Sequence, residues 1–148
     1  MNSRRFLVHV AVAAAISLSC AAIALAGRGM GGWGEGSRYN RMYDPKTVET
    51  VRGEVISVDK ITPRKGMSYG LHAVLRTEKE EISVHVGPGW YLEKQAFTLA
   101  KGETIEIKGS RITFRKKPAM IAAEVKKGDV LLKLRDENGV PAWSAGRR

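Results

Sequence analysis

The stretch Gly70-Leu71-His72-Ala73-Val74-Leu75-Arg76-Thr77-Glu78-Lys79-Glu80-Glu81-Ile82-Ser83-Val84-His85-Val86 reads as two strands joined by a tight turn. In the first half Leu71, Ala73 and Leu75 alternate with His72, Val74 and Arg76; in the second, Ile82, Val84 and Val86 alternate with Ser83 and His85. Period-two alternation is the mark of a strand with one face on a core. For both apolar sets to reach one core, odd positions of the first strand must pair with even positions of the second. A two-residue turn at Glu78-Lys79 satisfies this by pairing Leu75 with Ile82 and Ala73 with Val84. The same register sets His72 directly opposite His85, on the outer face.

Upstream, Val51 to Ile61 reads as a longer strand. Its apolar Val55 and Val58 lie three apart behind Gly53, a break in alternation that predicts a bulge and a bend. Thr62-Pro63-Arg64-Lys65-Gly66 is a turn-rich loop. Downstream, Gly87-Pro88-Gly89 ends the hairpin, and Trp90 to Ala100 reads as a short helix with Leu92, Ala96 and Leu99 on one side and Gly102 behind it. A fourth strand carries Ile105 and Ile107 inward, a fifth carries Ile121, Ala123 and Val125, and Val130 to Leu134 adds a sixth. Asp136-Glu137-Asn138-Gly139 is a turn, before a tail with Trp143 and Arg147-Arg148. Three strands, a helix and two strands is the order of an OB-fold, a five- to six-stranded all-β Greek-key barrel. The expected organisation is a barrel over residues 47–136 with a C-terminal tail over 137–148.

Ahead of the barrel, Arg4 and Arg5 precede an apolar run from Phe6 to Leu25, and Ala24-Leu25-Ala26 fits the small-x-small cleavage rule. Residues 1–26 are therefore expected to be a signal peptide, with Gly27 as the mature start and the periplasm as the destination. A retained membrane anchor competes, since the run approaches the length of a minimal span. A lipoprotein reading through Cys20 is weaker, because Ser17-Leu18-Ser19 lacks the aliphatic residue of a lipobox. Cleavage removes the single cysteine and His9, leaving His72 and His85, and it takes the net charge from +10 to +8. Such a basic domain favours anionic partners, although charge also serves solubility. Residues 27–46 carry Gly27, Gly29, Gly31, Gly32, Gly34 and Gly36. That density predicts a flexible tether; the alternative is an arm whose Trp33, Tyr39 and Tyr43 dock on the barrel or on a partner.

Tyr39-Asn40-Arg41-Met42-Tyr43, the run Thr50 to Val58, Val84-His85-Val86-Gly87-Pro88-Gly89-Trp90-Tyr91, and Gly109-Ser110-Arg111 through Glu124 resemble small exported bacterial proteins. These share the MamS/MamX-type magnetosome domain, and some relatives are labelled DNA-binding proteins. The resemblance implies an exported barrel. One branch of that family carries c-type haem motifs, but this chain has no Cys-x-x-Cys-His, so no cytochrome role is implied.

Three features are candidates for function. In OB-folds the loop between strands one and two and the loop between strands four and five flank the binding face. The first holds Arg64, Lys65 and Tyr69, the second Arg111, Arg115, Lys116 and Lys117, and Arg76 lies on the outer side of the face between them. Cations with nearby aromatic rings suit an anionic polymer or an acidic protein partner. Nucleic acid has the right chemistry, but export disfavours it, and exposed turns are commonly Lys-rich without any ligand. The second feature is the His72–His85 pair, close enough to share one divalent metal. Zinc needs three or four ligands, and only Glu54 or Glu106 offers a third, so two histidines without a metal is the favoured expectation. The third is Trp90-Tyr91, expected to pack the helix on the barrel rather than stack on a ligand. No nucleophile elbow, phosphate loop or paired carboxylate is legible. The expectation is a non-enzymatic binding or adaptor protein; the rival is a metal- or haem-handling role at His72 and His85.

Overall fold

A computed structural model describes residues 30–147. The expected signal peptide lies outside the described residues. Six strands form the sheet: β1 (Val48–Ile61), β2 (Gly70–Arg76), β3 (Glu81–Pro88), β4 (Thr104–Phe114), β5 (Lys117–Lys127) and β6 (Val130–Lys133), with a helix α1 (Gly89–Leu92) between β3 and β4. The order is β3-β2-β1-β4-β5-β6, and a parallel pairing of β3 with β5 closes the first five into a barrel. β1 is long because it serves two neighbours. Its first half pairs with β4 and its second with β2, and the bulge that lets it turn lies between Val55 and Ser57.

The hairpin register is the expected one: Leu75 opposes Ile82, Ala73 opposes Val84 and His72 opposes His85. Val55, Leu75, Ile82, Val84, Ile105, Ile107, Met120 and Val125 fill the barrel interior, none more than 1% exposed. The helix is shorter than the sequence implied. Beyond Leu92 the chain is irregular, and Phe97 and Leu99 pack against the core while Thr98 and Ala100 are exposed. Residues two apart lie on opposite sides of a helix, so a chain that buries both Phe97 and Leu99 cannot remain helical there. Trp90 and Tyr91 pack against the core, as expected.

In the segment ahead of β1 the docked arm, rather than the flexible tether, is what the structure holds. That segment buries Trp33, Tyr39 and Tyr43, and the tail buries Trp143. Trp143 Nε1 donates to the Trp33 carbonyl at 2.8 Å, so the segment ahead of β1 and the tail clasp each other. Burying one such aromatic contributes about 2–3 kcal/mol, whereas ordering one glycine costs only about 0.5–1 kcal/mol relative to alanine. Three aromatics outweigh four glycines. The cover also accounts for β5, where Ala119 through Ala123 are all buried: a strand hidden on consecutive positions needs packing on both faces. Among the described residues no helix is long and apolar enough to cross a membrane.

Candidate functional site

Cross-strand partners share a face of the sheet, so pairing His72 with His85, His85 with Ile121 and Ile121 with Ser110 defines one row across β2, β3, β5 and β4. The sequence put His72 and His85 on the outer face but grouped Ile121 with the core-facing set of the fifth strand. The shift of register at Lys108/Gly109 places Ile121 in the outer row instead. That row is not open, because the segment ahead of β1 runs over it. Tyr39 stacks on His85, and its hydroxyl shares a 2.9 Å hydrogen bond with His85 Nδ1. Further along, the Asp44 N–H donates to Ser110 Oγ at 3.0 Å. Two glycines make the close approach possible: a Cβ at Gly70 would strike the Trp33 ring, and one at Gly87 would press on Trp143. His85 is 1% exposed and meets Phe114 edge-on, with ring centroids 4.7 Å apart.

This burial pushes the His85 pKa down to about 4, with help from His72 and Arg115 nearby, so the ring is neutral at pH 7. Burial also lowers His72, against the pull of Asp59. The Tyr39 hydroxyl, shut away from water, is pushed above its ordinary range. The histidine rings stand 5.8 Å apart, edge to face. Glu54 stands opposite Arg76, and Glu106 opposite Lys126. Among the described residues no three His, Cys, Asp or Glu side chains gather where they could hold a metal ion.

The basic loops do come together. Arg64 and Lys65 are exposed in the β1–β2 loop, and Arg115, Lys116 and Lys117 are exposed where β4 turns into β5. Arg115 joins the two by donating to the Thr62 carbonyl at 3.3 Å while lying 4.9 Å over the Phe114 ring. The β4–β5 connection is only Arg115-Lys116, because Phe114 already pairs with Lys117. Both loop residues have positive φ, 49° and 66°. Tyr69 is half-buried, with its hydroxyl donating to Glu93 and Lys60 Nζ 4.6 Å above its ring.

Two expected ligand residues are committed elsewhere. Arg111 is inside β4 rather than in the loop. Its guanidinium bonds to Glu49, 2.7 Å away, and to Glu80 at the β2–β3 turn, and these carboxylates raise its pKa. Arg76 pairs with Glu81 at 3.3 Å, at the end of β2 away from the β1–β2 loop.

A concave site elsewhere was not legible in the sequence. A cavity of about 770 Å³ opens beside Tyr43, Arg135 and the strand positions Lys108, Glu124 and Lys133. Arg135 is 6% exposed although it carries a full charge. Its guanidinium lies 5.3 Å from the Tyr43 ring and 5.2 Å from the Trp143 ring. Tyr43 lies ahead of β1 and Trp143 beyond the turn that follows Arg135, so no local spacing signals the arrangement.

A closed five-stranded barrel with a β3–β5 parallel seam and one helix ahead of β4 defines an OB-fold protein. The chain belongs to the MamS/MamX magnetosome protein family, whose model matches residues 47–132. Among solved structures it is similar to the second OB-fold domain of replication protein A from Methanococcus maripaludis, at 16% identity and TM-score 0.41, over 57% of this chain and 86% of that one. A second similar structure was described under abrogation of activation of pro-inflammatory cytokines, at 14% identity and TM-score 0.36. There 66% of this chain is covered, and it spans 49% of that chain. No curated protein matches the sequence.

Proposed function

We propose that this is an exported, non-catalytic binding protein of the cell envelope, which takes an anionic polymer or an acidic protein surface on the paired basic loops. The observation that carries this reading is the Arg115-Lys116 turn. A two-residue hairpin with both φ positive favours Asn-Gly, and the left-handed conformation costs about 1–2 kcal/mol per side-chain-bearing residue. Two long cations in that position, beside Arg64, Lys65 and Lys117, set the fold's local preference against their charge. Strain of this kind collects at functional positions.

Stability and binding should therefore move in opposite directions. Arg115→Asn with Lys116→Gly is expected to raise the unfolding free energy by about 1 kcal/mol or more. The same double change should weaken binding of short polyphosphate or polyglutamate at least tenfold at low salt and flatten its salt dependence. Charge reversal at Arg64, Lys65, Arg115 and Lys116 should abolish that binding, while His72→Ala with His85→Ala should lose none of it in molecules that remain folded. Arg111→Gln, whose charge is already shared between two carboxylates, should leave binding nearly unchanged and cost about 1 kcal/mol or less of stability. Unaltered polyanion binding in the Asn-Gly turn variant would remove the loops from the site.

A further inference from the structure

Of the six strands, β6 ends the sheet with one side unpaired. β3, at the other end of the order, closes onto β5, but β6 has β5 alone as its neighbour. The tail takes over its outer edge only from Leu134 onward, where the Ala142 N–H donates to the Leu134 carbonyl and Arg135 bridges Pro141. Among the described residues, the backbone of residues 130–133 bonds to β5 and to nothing else. The hairpin decides which groups look outward. Lys127 and Val130 close a two-residue turn at Gly128-Asp129 as a hydrogen-bonded pair. Alternation then aims the N–H and C=O of Leu132 at β5, and those of Leu131 and Lys133 away from it. Free edges are ordinarily blunted with charge. Here Val130 and Leu131, each 49% exposed, are the exposed large hydrophobics among the described residues. Two charged ladders also run up to this edge. Arg52, Glu106, Lys126 and Leu131 stand in register across β1, β4, β5 and β6, and Lys108, Glu124 and Lys133 across the last three. Charge alternates along both.

We propose that β6 pairs antiparallel with β6 of a second copy of this chain, about a two-fold axis at the Leu131 pair. In that register Leu131 exchanges both backbone hydrogen bonds with the copy's Leu131. Val130 lies against the copy's Leu132, and Lys133 faces the copy's Asp129. The second ladder thereby keeps its alternation, running from Lys108, Glu124 and Lys133 to an aspartate, and symmetry makes this match twice. Shifting the register toward the tail sets Lys133 against the copy's Leu131 or Lys133, and the match is lost. A four-residue edge makes a small interface, so the dimer is weak and transient. The basic loops lie at the opposite end of β5 and share no residue with β6, so the two readings fail separately.

The test is disulfide trapping in the full chain carrying Cys20→Ser, so that each variant holds one cysteine. Hydrogen-bonded strand partners have Cα atoms about 5.5 Å apart, within the roughly 4.4–6.8 Å that a disulfide spans. Leu131→Cys should therefore trap a covalent dimer under mild oxidation. Lys126→Cys keeps Asp129 and Lys133 but lies three strand spacings, about 14 Å, from its copy, and should trap about tenfold more slowly. With Leu131→Cys as reporter, Lys133→Glu sets two carboxylates face to face. It should slow trapping about fivefold at low salt although it lowers the net positive charge, and adding Asp129→Lys should restore the rate. All four positions are exposed, so these variants keep the fold. Association through other residues is common to every variant and cannot produce this pattern. Equal trapping at 131 and 126, a Lys133→Glu rate that does not fall, or no recovery with Asp129→Lys would overturn the dimer.

Discussion

At the scale of single residues, His85 shows what a register argument reaches and what it misses. Counting along the turn put it opposite His72, and it is there. Its environment, though, comes from Tyr39, 46 positions away, and no local pattern carries that contact. The consequence is a pH dependence. The folded pKa of about 4 lies below the ordinary histidine value of 6.5. The unfolded chain therefore takes up the proton first as pH falls. This contribution to stability is complete above about pH 6.5, declines on acidification, and levels off below about pH 4. At pH 5 the loss relative to pH 7 should be about 2 kcal/mol. Urea denaturation at the two pH values measures it, and His85→Gln should remove most of the difference. An unchanged difference in that variant would assign the acid sensitivity to other groups.

At the scale of elements, β2 and β3 were legible because each alternates apolar and polar residues, and the bulge in β1 was legible because Val55 and Val58 break such a period. The basic turn was also legible, as a run of cations between two apolar patterns. What the sequence hid was every decision made by long-range competition. Phe97 and Leu99 follow the core rather than helix periodicity. Arg111 looked like a free cation because Glu49 and Glu80 are remote in sequence. The segment ahead of β1 looked like a tether because glycine content is local, whereas the surface that Trp33 covers is made by Gly70 and its neighbours. Trp33 is the residue on which that element depends. It is 1% exposed, packs edge-on to Tyr39 at 4.8 Å and donates its indole N–H to the Ser68 carbonyl at 3.0 Å. Trp33→Ala should cost about 3–5 kcal/mol and open the row beneath it, so that His85 titrates closer to 6.5. Proton NMR of the His85 ring in the variant measures the second effect, and a pKa still near 4 would mean that the cover does not depend on Trp33.

At the scale of the whole molecule, the clasp between Trp33 and Trp143 joins positions 110 residues apart. It places the segment ahead of β1 and the tail in one continuous core with the barrel, because the same cluster contains Trp33, Tyr39, Ile121 and Leu134. Among the described residues, a structure so connected has no separate unit to melt early. The buried outer surface of β5 would be exposed to water as soon as the clasp opened, and opening it should therefore cost nearly the full unfolding free energy. Of the three tryptophans, two sit in the clasp and the third is Trp90. In a Trp90→Phe background, tryptophan fluorescence reports the clasp, while far-ultraviolet circular dichroism reports the strands. Their urea transitions should coincide, with one midpoint and one slope. A fluorescence transition at lower urea would show that the ends detach from a folded barrel. The row of His72, His85 and Ile121 would then be an OB-type face uncovered by its own chain, and the binding surface would extend from the basic loops onto it.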